Sequence, residues 1–306
     1  LKIQGSDCWR GPSQTLVHMA HHGLKGRKTP RKNSQKGIAG RQTATAKKAK
    51  RLARKNGEES AKKPPAAAEA PAQLPQGKNM KKRKELARIE ANLAKQHKDM
   101  YSGSERVLLV GEGNFSFARA LCRVIGDGGN VFATAYDTEA TLNTKYPDAA
   151  ECRKEVEDKF GGTTLVGVDA RRLHKVKEFQ RAFHKIVWNF PHLGSGETDV
   201  EKNVADHRKL LGDFFTSALR CLDPEHNNAS IHVALKDGEP YKSWKLGMVA
   251  QTVCPELQLR ATVPFSVGAW PGYAHRRSLG FDERFSKSDN EELASGAKVY
   301  IFMRRK

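Results

Sequence analysis

The chain has 306 residues, with 54 Lys and Arg against 34 Asp and Glu, a net charge of +20 at pH 7. Its hydrophobic share is 38%, below the roughly 45–50% of ordinary globular domains, so a packed core is not expected along its whole length. No apolar run approaches the ~20 residues of a membrane span, no N-terminal stretch reads as a secretory signal, and no G-x-x-x-x-G-K-[ST] run marks a P-loop.

The charge is uneven. Residues 1–105 hold 25 basic and 8 acidic side chains and only two aromatics, Trp9 and Tyr101, whereas residues 106–306 hold 29 basic and 26 acidic ones. Residues 1–77 are therefore expected to form a disordered basic arm. Clusters such as those at 27–32 and 47–55 cannot bury enough apolar area to offset the entropy of ordering them. Residues 43–56 suit a helix formed on a polyanion, and 61–77, with four Pro and six Ala, read as a linker. Lysine clusters this dense suit RNA phosphates or an RNA-rich compartment; a passive solubilising tail is the alternative. His18, His21 and His22 have no Cys or carboxylate cluster nearby, so no metal is expected. The five cysteines lack close pairs, which fits a reduced intracellular protein without a zinc ribbon. Over 78–105, Leu86, Ile89 and Leu93 share one face of a predicted lead-in helix.

From residue 106 the pattern alternates. Strands are predicted at 107–110, 130–137, 163–170, 184–190, 229–236, 257–263 and 298–303. The first is followed by a helix with Ala118, Leu121, Cys122 and Ile125 on one face and Gly126 as C-cap. Further helices are predicted at 138–145 and 149–160, through Val176 and Phe179, at 203–222 on a Leu211–Phe215–Ala218–Leu222 stripe, and at 241–253. Strands alternating with helices predict a doubly wound α/β sheet. The last two strands have no helix between them, which predicts an antiparallel terminal pair.

Four clusters carry candidate chemistry. A buried strand running into Gly111, Glu112, Gly113, Asn114, Phe115 and Ser116 lets the backbone approach a ligand at a helix N-terminus; a plain tight turn is the alternative. Asp137 ends the second strand, where a carboxylate is able to accept both ribose hydroxyls of an adenosine cofactor or to cap the next helix. Asp169, ending the third strand, has the same two readings. Asn189, Phe190, Pro191 and His192 end the fourth strand, offering a stacking ring with an amide and an imidazole for a base edge, or a simple turn. Trp270, Tyr273, His275, Arg276 and Arg277 lie in a long connection and offer stacking faces and phosphate contacts, or a surface turn at Pro271-Gly272.

VLLVGEGNFSFARAL, ATAYD, NFPH, HVALKDGEPYKSWKL (232–246) and WPGYAHRR, in this order, resemble the Rossmann-like domain of the ribosomal RNA (uridine-N3) methyltransferase family over about residues 106–306. The resemblance implies a class I methyltransferase fold, S-adenosylmethionine as cofactor, a uridine of large-subunit ribosomal RNA as substrate, and a nuclear, nucleolar protein of ribosome biogenesis. Its partner would be ribosomal RNA or a pre-ribosomal particle, with the protein a monomer and no membrane involved. It places residues 111–116 at the methionine end of the cofactor, Asp137 at the ribose and Asp169 near the adenine. Asn189–His192 stand where amino-methyltransferases keep an Asn-Pro-Pro-aromatic run, and Leu109 replaces the usual acid two residues before the loop glycine. An imide N–H must lose its proton before attack, and His192 is the candidate base, since free imidazole titrates near 6.5. Two other readings stay open: a catalytically silent RNA-binding assembly factor, and a nicotinamide-dependent dehydrogenase.

Overall fold

The computed structural model describes residues 76–278 and 289–305. The arm's expected features at 1–75, including the histidines and the 43–56 helix, lie outside them. The first described element is helix α1 (Gln76–Lys98), so the last two residues assigned to the linker are helical. Strand β1 (Val107–Val110) leads to α2 (Ser116–Ile125) and β2 (Val131–Thr134). Helices α3 (Glu139–Lys145) and α4 (Ala149–Lys154) follow, the latter extended by a π turn over Glu155–Lys159. Next come β3 (Thr163–Leu165), β4 (Lys185–Asn189), α5 (Val200–Cys221) and β5 (Ser230–Lys236). The chain then forms α6 (Leu246–Val253), β6 (Leu257–Pro264) and β7 (Ala297–Arg304).

One sheet of seven strands results, in the order β3-β2-β1-β4-β5-β7-β6. The first five are parallel to their neighbours, and β7 runs antiparallel between β5 and β6. This is the Rossmann-like, doubly wound class I methyltransferase sheet with the expected antiparallel terminal pair. All four residues of β1 are buried because helices cover both faces. Alternate side chains divide between them: Leu108 and Val110 join Ile186, Ile231 and α5 on one face, while Val107 and Leu109 join Val131, Ala133 and α2 on the other.

Three local expectations change. Strand three is only three residues long, and the segment after it forms two 3-10 turns, Ala170–Lys175 and Lys177–Phe179, in place of a helix. Arg172 (φ −130°) and the extended Val176 interrupt any α-helical run there. The helix expected at 241–253 is split by Lys245 in the left-handed region, after a 3-10 turn over Lys242–Trp244.

Packing also begins upstream of residue 106. His97 is 0% exposed, with its ring against Phe265 and Trp270. Tyr101 is buried and pairs through its hydroxyl with His232 Nδ1 at 3.0 Å, and Ser230 Oγ meets the other ring nitrogen at 3.0 Å. Burial pushes the His232 pKa down to about 3, so this internal chain is uncharged at the imidazole.

Candidate active site

The turn after β1 is shaped by what β4 presents to it. Gly111 has φ +67°, and a Cβ there would stand 2.4 Å from Trp188 Nε1, so only glycine fits. Asn114 is buried, donating from Nδ2 to Asp148 Oδ2 (2.7 Å) and accepting at Oδ1 from the Ser116 amide (3.2 Å). Glu112 Oε2 accepts from the Ala118 amide in the first turn of α2 (3.3 Å). Burial raises its pKa to about 7, against the pull of that backbone donor. Phe115, expected among the cofactor residues, turns its ring away: it is fully buried in the core with the Arg153 guanidinium 5.6 Å over it. Its contribution is backbone shape, a left-handed N-cap at φ 60°.

Beyond β2, Thr138 and not Asp137 caps α3, accepting from the Thr141 amide. That leaves the Asp137 carboxylate facing the cleft, paired with Lys145 Nζ at 2.8 and 3.0 Å. Asp169 does cap, accepting from the Arg171 amide at 2.9 Å, and the Arg171 side chain forks onto the same carboxylate. Burial would raise its pKa, but Arg171 outweighs that and leaves it lowered. Asp169 thus lines the cleft with its oxygens already engaged.

At the end of β4, Phe190 sits at φ 54°, a non-glycine in the left-handed region beside Gly111's turn. Two strained residues, Phe115 and Phe190, flank one cleft, each costing on the order of 1–3 kcal/mol, as is common at functional sites. The Phe190 ring meets His275 at 4.8 Å and Phe265 at 5.2 Å. Pro191 is buried and absent from the cleft lining, so it shapes the turn. His192 Nδ1 accepts from the Gly194 amide at 2.9 Å. The tautomer that accepts at Nδ1 carries its proton on Nε2, so in this arrangement the ring's lone pair is engaged by the Gly194 amide and its other nitrogen is a donor. Its residue is exposed, but the ring rests 4.7 Å from that of His207, itself stacked on Trp244. Packing on that side, then His207, Lys236 and Arg277, push the pKa down to about 4; solvent on the open side tempers the shift. The titration near 6.5 expected for a general base at His192 is therefore moved out of the neutral range.

The 269–277 connection is clasped to this end of the sheet. Ser116 Oγ donates to the Ala274 carbonyl (3.1 Å) and accepts from its amide (3.0 Å), and the Tyr146 hydroxyl donates to the Arg277 carbonyl (2.8 Å). Tyr273 and His275 line the cleft, with Tyr273 Oη 3.3 Å from His275 Nδ1. Burial, then Lys236, pushes the His275 pKa down to about 4. The remaining three residues read as RNA contacts have partners within the protein. Trp270 is 2% exposed, packed against His97, Tyr101 and Phe117. Arg276 is held by Asp148 and Asp289, and Arg277 by Glu292, which also takes Lys236 Nζ at 2.5 Å. These cations tie the connection down through their carboxylate partners.

The cleft has a volume of about 370 Å³, within the usual 300–1,000 Å³ of small-molecule sites, and opens at the carboxyl ends of the parallel strands. Sequence reasoning missed Tyr136, Lys145, Tyr146 and Arg171 in its lining. Tyr136 is 64% exposed, and its place beside Asp137 in ATAYD was the available signal. Among the described residues no group of three His, Cys, Asp or Glu converges as metal ligands, and no helix is long and apolar enough to cross a membrane.

Residues 108–277 match the model of a protein family described as rRNA (uridine-N3-)-methyltransferase BTM5-like. An uncharacterized Arabidopsis thaliana protein is 29% identical over 206 residues, covering 66% of this chain and 94% of its own. The 25S rRNA (uridine(2634)-N(3))-methyltransferase of Saccharomyces cerevisiae is 25% identical over 254 residues, 66% of this chain and 73% of the yeast protein. Heavy metal-associated isoprenylated plant protein 41 of Arabidopsis thaliana is 34% identical over 182 residues, 59% of this chain but only 34% of that longer protein.

Proposed function

The chain belongs to the rRNA (uridine-N3-)-methyltransferase BTM5-like family, and from that membership we propose that it is an S-adenosylmethionine-dependent enzyme methylating N3 of a uridine in large-subunit ribosomal RNA. One observation carries the reading. A single cleft has the Gly111–Ser116 turn and Asp137 on one wall and Asn189, Phe190 and His192 on the other, so cofactor and base would meet across Trp188.

The residues present fit the cofactor. Gly111 lets the Trp188 indole close against the turn and keeps its main chain on the cleft, Asp137 has a carboxylate turned to the cleft, and Tyr136 exposes a ring beside it. Gly111–Asn114 and Glu112 would hold the methionine end, Asp137 the ribose, and Tyr136 the adenine face, with Asp169 at its edge. When bound, S-adenosylmethionine supplies an electrophilic methyl group.

The protein's own residues prepare the base. Phe190 and His275, packed edge to face, offer an aromatic wall for a flat ring, and the Asn189 amide at the strand end would read its polar edge. A uridine imide becomes nucleophilic when N3 loses its proton and charge spreads to the carbonyl oxygens. His192 Nε2–H would donate to such an oxygen, and Lys236 and Arg277 would bias the surrounding field toward an anion. With pKa values pushed down to about 4, neither imidazole is basic enough to hold the imide proton, which passes to water at the open rim. A paired uridine must be flipped out to enter. The basic 1–75 segment adds sequence-independent RNA affinity, which suits a nucleolar protein of ribosome biogenesis.

Labelled S-adenosylmethionine tests the reading, using the full chain and large-subunit ribosomal RNA. Methyl transfer to N3 of a uridine is expected. Cofactor and RNA binding without transfer would make the chain a silent assembly factor, and preference for a nicotinamide cofactor would sink the reading.

A further inference from the structure

The amino ends of the same strands border a second groove of about 600 Å³. Its walls come from five separate segments: His174 and Lys175 from the 3-10 turn, Gln180 and Arg181 before β4, Leu219 and Arg220 at the end of α5, Glu256 before β6, and Arg304 at the end of β7. Four Lys or Arg face one carboxylate there. The whole 106–306 body has only three more basic than acidic side chains, so this groove holds as much net positive charge as the body itself.

The cations are not consumed locally. Lys175 and Arg220 are exposed, and among the described residues no carboxylate pairs with either of them. Arg181 reaches Glu225 only at 3.7 Å, with both side chains largely exposed. Arg304 donates from Nη2 to the Leu219 carbonyl, yet its Nε is buried without a partner among the described residues. Packing, then Arg220 and Lys175, lowers the pKa of His174, which marks how closely the positive groups converge. Ordinary ion-paired surface looks different. At the cleft end, Arg276, Arg277 and Lys236 are each matched to a carboxylate.

We propose that this groove binds the phosphodiester backbone of the substrate RNA, at a point remote from the reacting base. The inference rests on the RNA-methylating reading and adds how the substrate is selected. The five residues of β4 separate groove and cleft by about 16 Å of sheet at 3.3 Å per residue. A nucleic acid touching both extends over about five steps of 3.4 Å. Recognition is then of a folded RNA segment wrapped along the body's flank, and an isolated nucleotide or very short oligomer meets only the cleft.

The 306-residue chain carrying Lys175→Gln and Arg220→Gln tests this, with unchanged circular dichroism and melting temperature as the check on folding. Binding is read in the absence of cofactor, on a structured ribosomal RNA fragment and on a two-nucleotide oligomer too short to span groove and cleft, each over a salt series. Loss of two phosphate contacts should lower the salt slope on the structured RNA by roughly 1.4–1.8 and weaken its binding about tenfold at moderate salt. Affinities for the oligomer and for S-adenosylmethionine should stay as in the wild type. An unchanged affinity and slope on the structured RNA in the folded variant would overturn the proposal. So would tight binding of inorganic pyrophosphate that the double variant abolishes without effect on RNA, because that assigns the groove to a small anion. Failure of the wild type to transfer methyl groups would count against the catalytic reading alone, since the groove is judged by binding.

Discussion

After β1 the chain turns through Phe115 at φ 60°, and after the neighbouring β4 it turns through Phe190 at φ 54°. The same residue type adopts the same disfavoured conformation at the ends of adjacent parallel strands, and the outcomes are opposite. Phe115 is followed by α2, which carries its ring into the core beneath Arg153. Phe190 is followed by buried Pro191 and an irregular loop, and its ring stays in the cleft against His275. Strain at Phe115 is held by packing and shapes a backbone cradle. Strain at Phe190 presents a side chain. One wall of the cleft therefore works through its main chain and the other through its side chains.

The largest expected effect comes from filling the main-chain wall. A Cβ at Gly113 would meet Tyr146 at 3.4 Å and Arg276 at 3.5 Å, which an alanine tolerates with a small shift. Gly113→Arg places a long cation in the cradle and should abolish S-adenosylmethionine binding by calorimetry while the protein stays folded; Gly113→Ala should keep binding within a few-fold. Unchanged affinity in the Arg variant would remove this turn from the cofactor site.

Exchanging the two phenylalanines for alanine should separate stability from turnover. Phe115→Ala empties a fully buried site and should cost about 3–5 kcal/mol in denaturant unfolding. Phe190→Ala, half-exposed, should cost about 1–2 kcal/mol yet lower single-turnover methylation more than Phe115→Ala does at a temperature where both are folded. Equal losses of stability would erase the distinction drawn between the walls.

His192→Ala removes a donor from the side-chain wall and should lower the single-turnover rate about 10²-fold, the low end for one oxyanion-type donor, with cofactor affinity unchanged. The wild-type pH profile sharpens the assignment. With its pKa pushed down to about 4, His192 is neutral across pH 6–8 and contributes no inflection near 6.5. The rate should instead climb steadily with pH as more of the imide ionises. A plateau above pH 6.5 that His192→Ala abolishes would restore the histidine as base.

Much of this was legible in the sequence, for a physical reason. Buried parallel strands read as continuous apolar runs, so VLLV and KIVWN announce themselves, and the residues ending them fall at the ligand-binding edge. Asp137 was placed there, though only the structure shows that Thr138 takes the capping role and frees it. What stayed hidden depends on distant partners. Trp270 reads as a surface aromatic until His97 and Tyr101 cover it, and Arg276 and Arg277 read as phosphate contacts until Asp148, Asp289 and Glu292 claim them. The direction of the Phe115 ring follows from the sign of one dihedral angle, which composition does not record. His192 lost its neutral-range pKa to packing on His207 and to cations from β5 and the 269–277 connection.

The smallest expected effect is at Glu112, the one side chain on the main-chain wall with a titration near neutrality. Burial raises its pKa to about 7, so at pH 6 it is mostly protonated and at pH 8 mostly a carboxylate. The cofactor carries positive charge at its sulfonium and amino groups, and only the ionised form attracts it. Affinity for S-adenosylmethionine should therefore rise a few-fold as pH passes upward through 7, and binding should release a fraction of a proton there. Stability runs the other way. A folded pKa above the ordinary 4.5 means that the folded protein holds more protons than the unfolded chain between the two values, so this residue's contribution falls as pH rises through that window. Glu112→Gln keeps the acceptor for the Ala118 amide and removes the titration. It should flatten both dependences while changing affinity at pH 6 little. Calorimetry at pH 6 and pH 8 decides: a wild-type affinity that stays level over that interval would place Glu112 outside the field of the cofactor and leave it as the cap of α2.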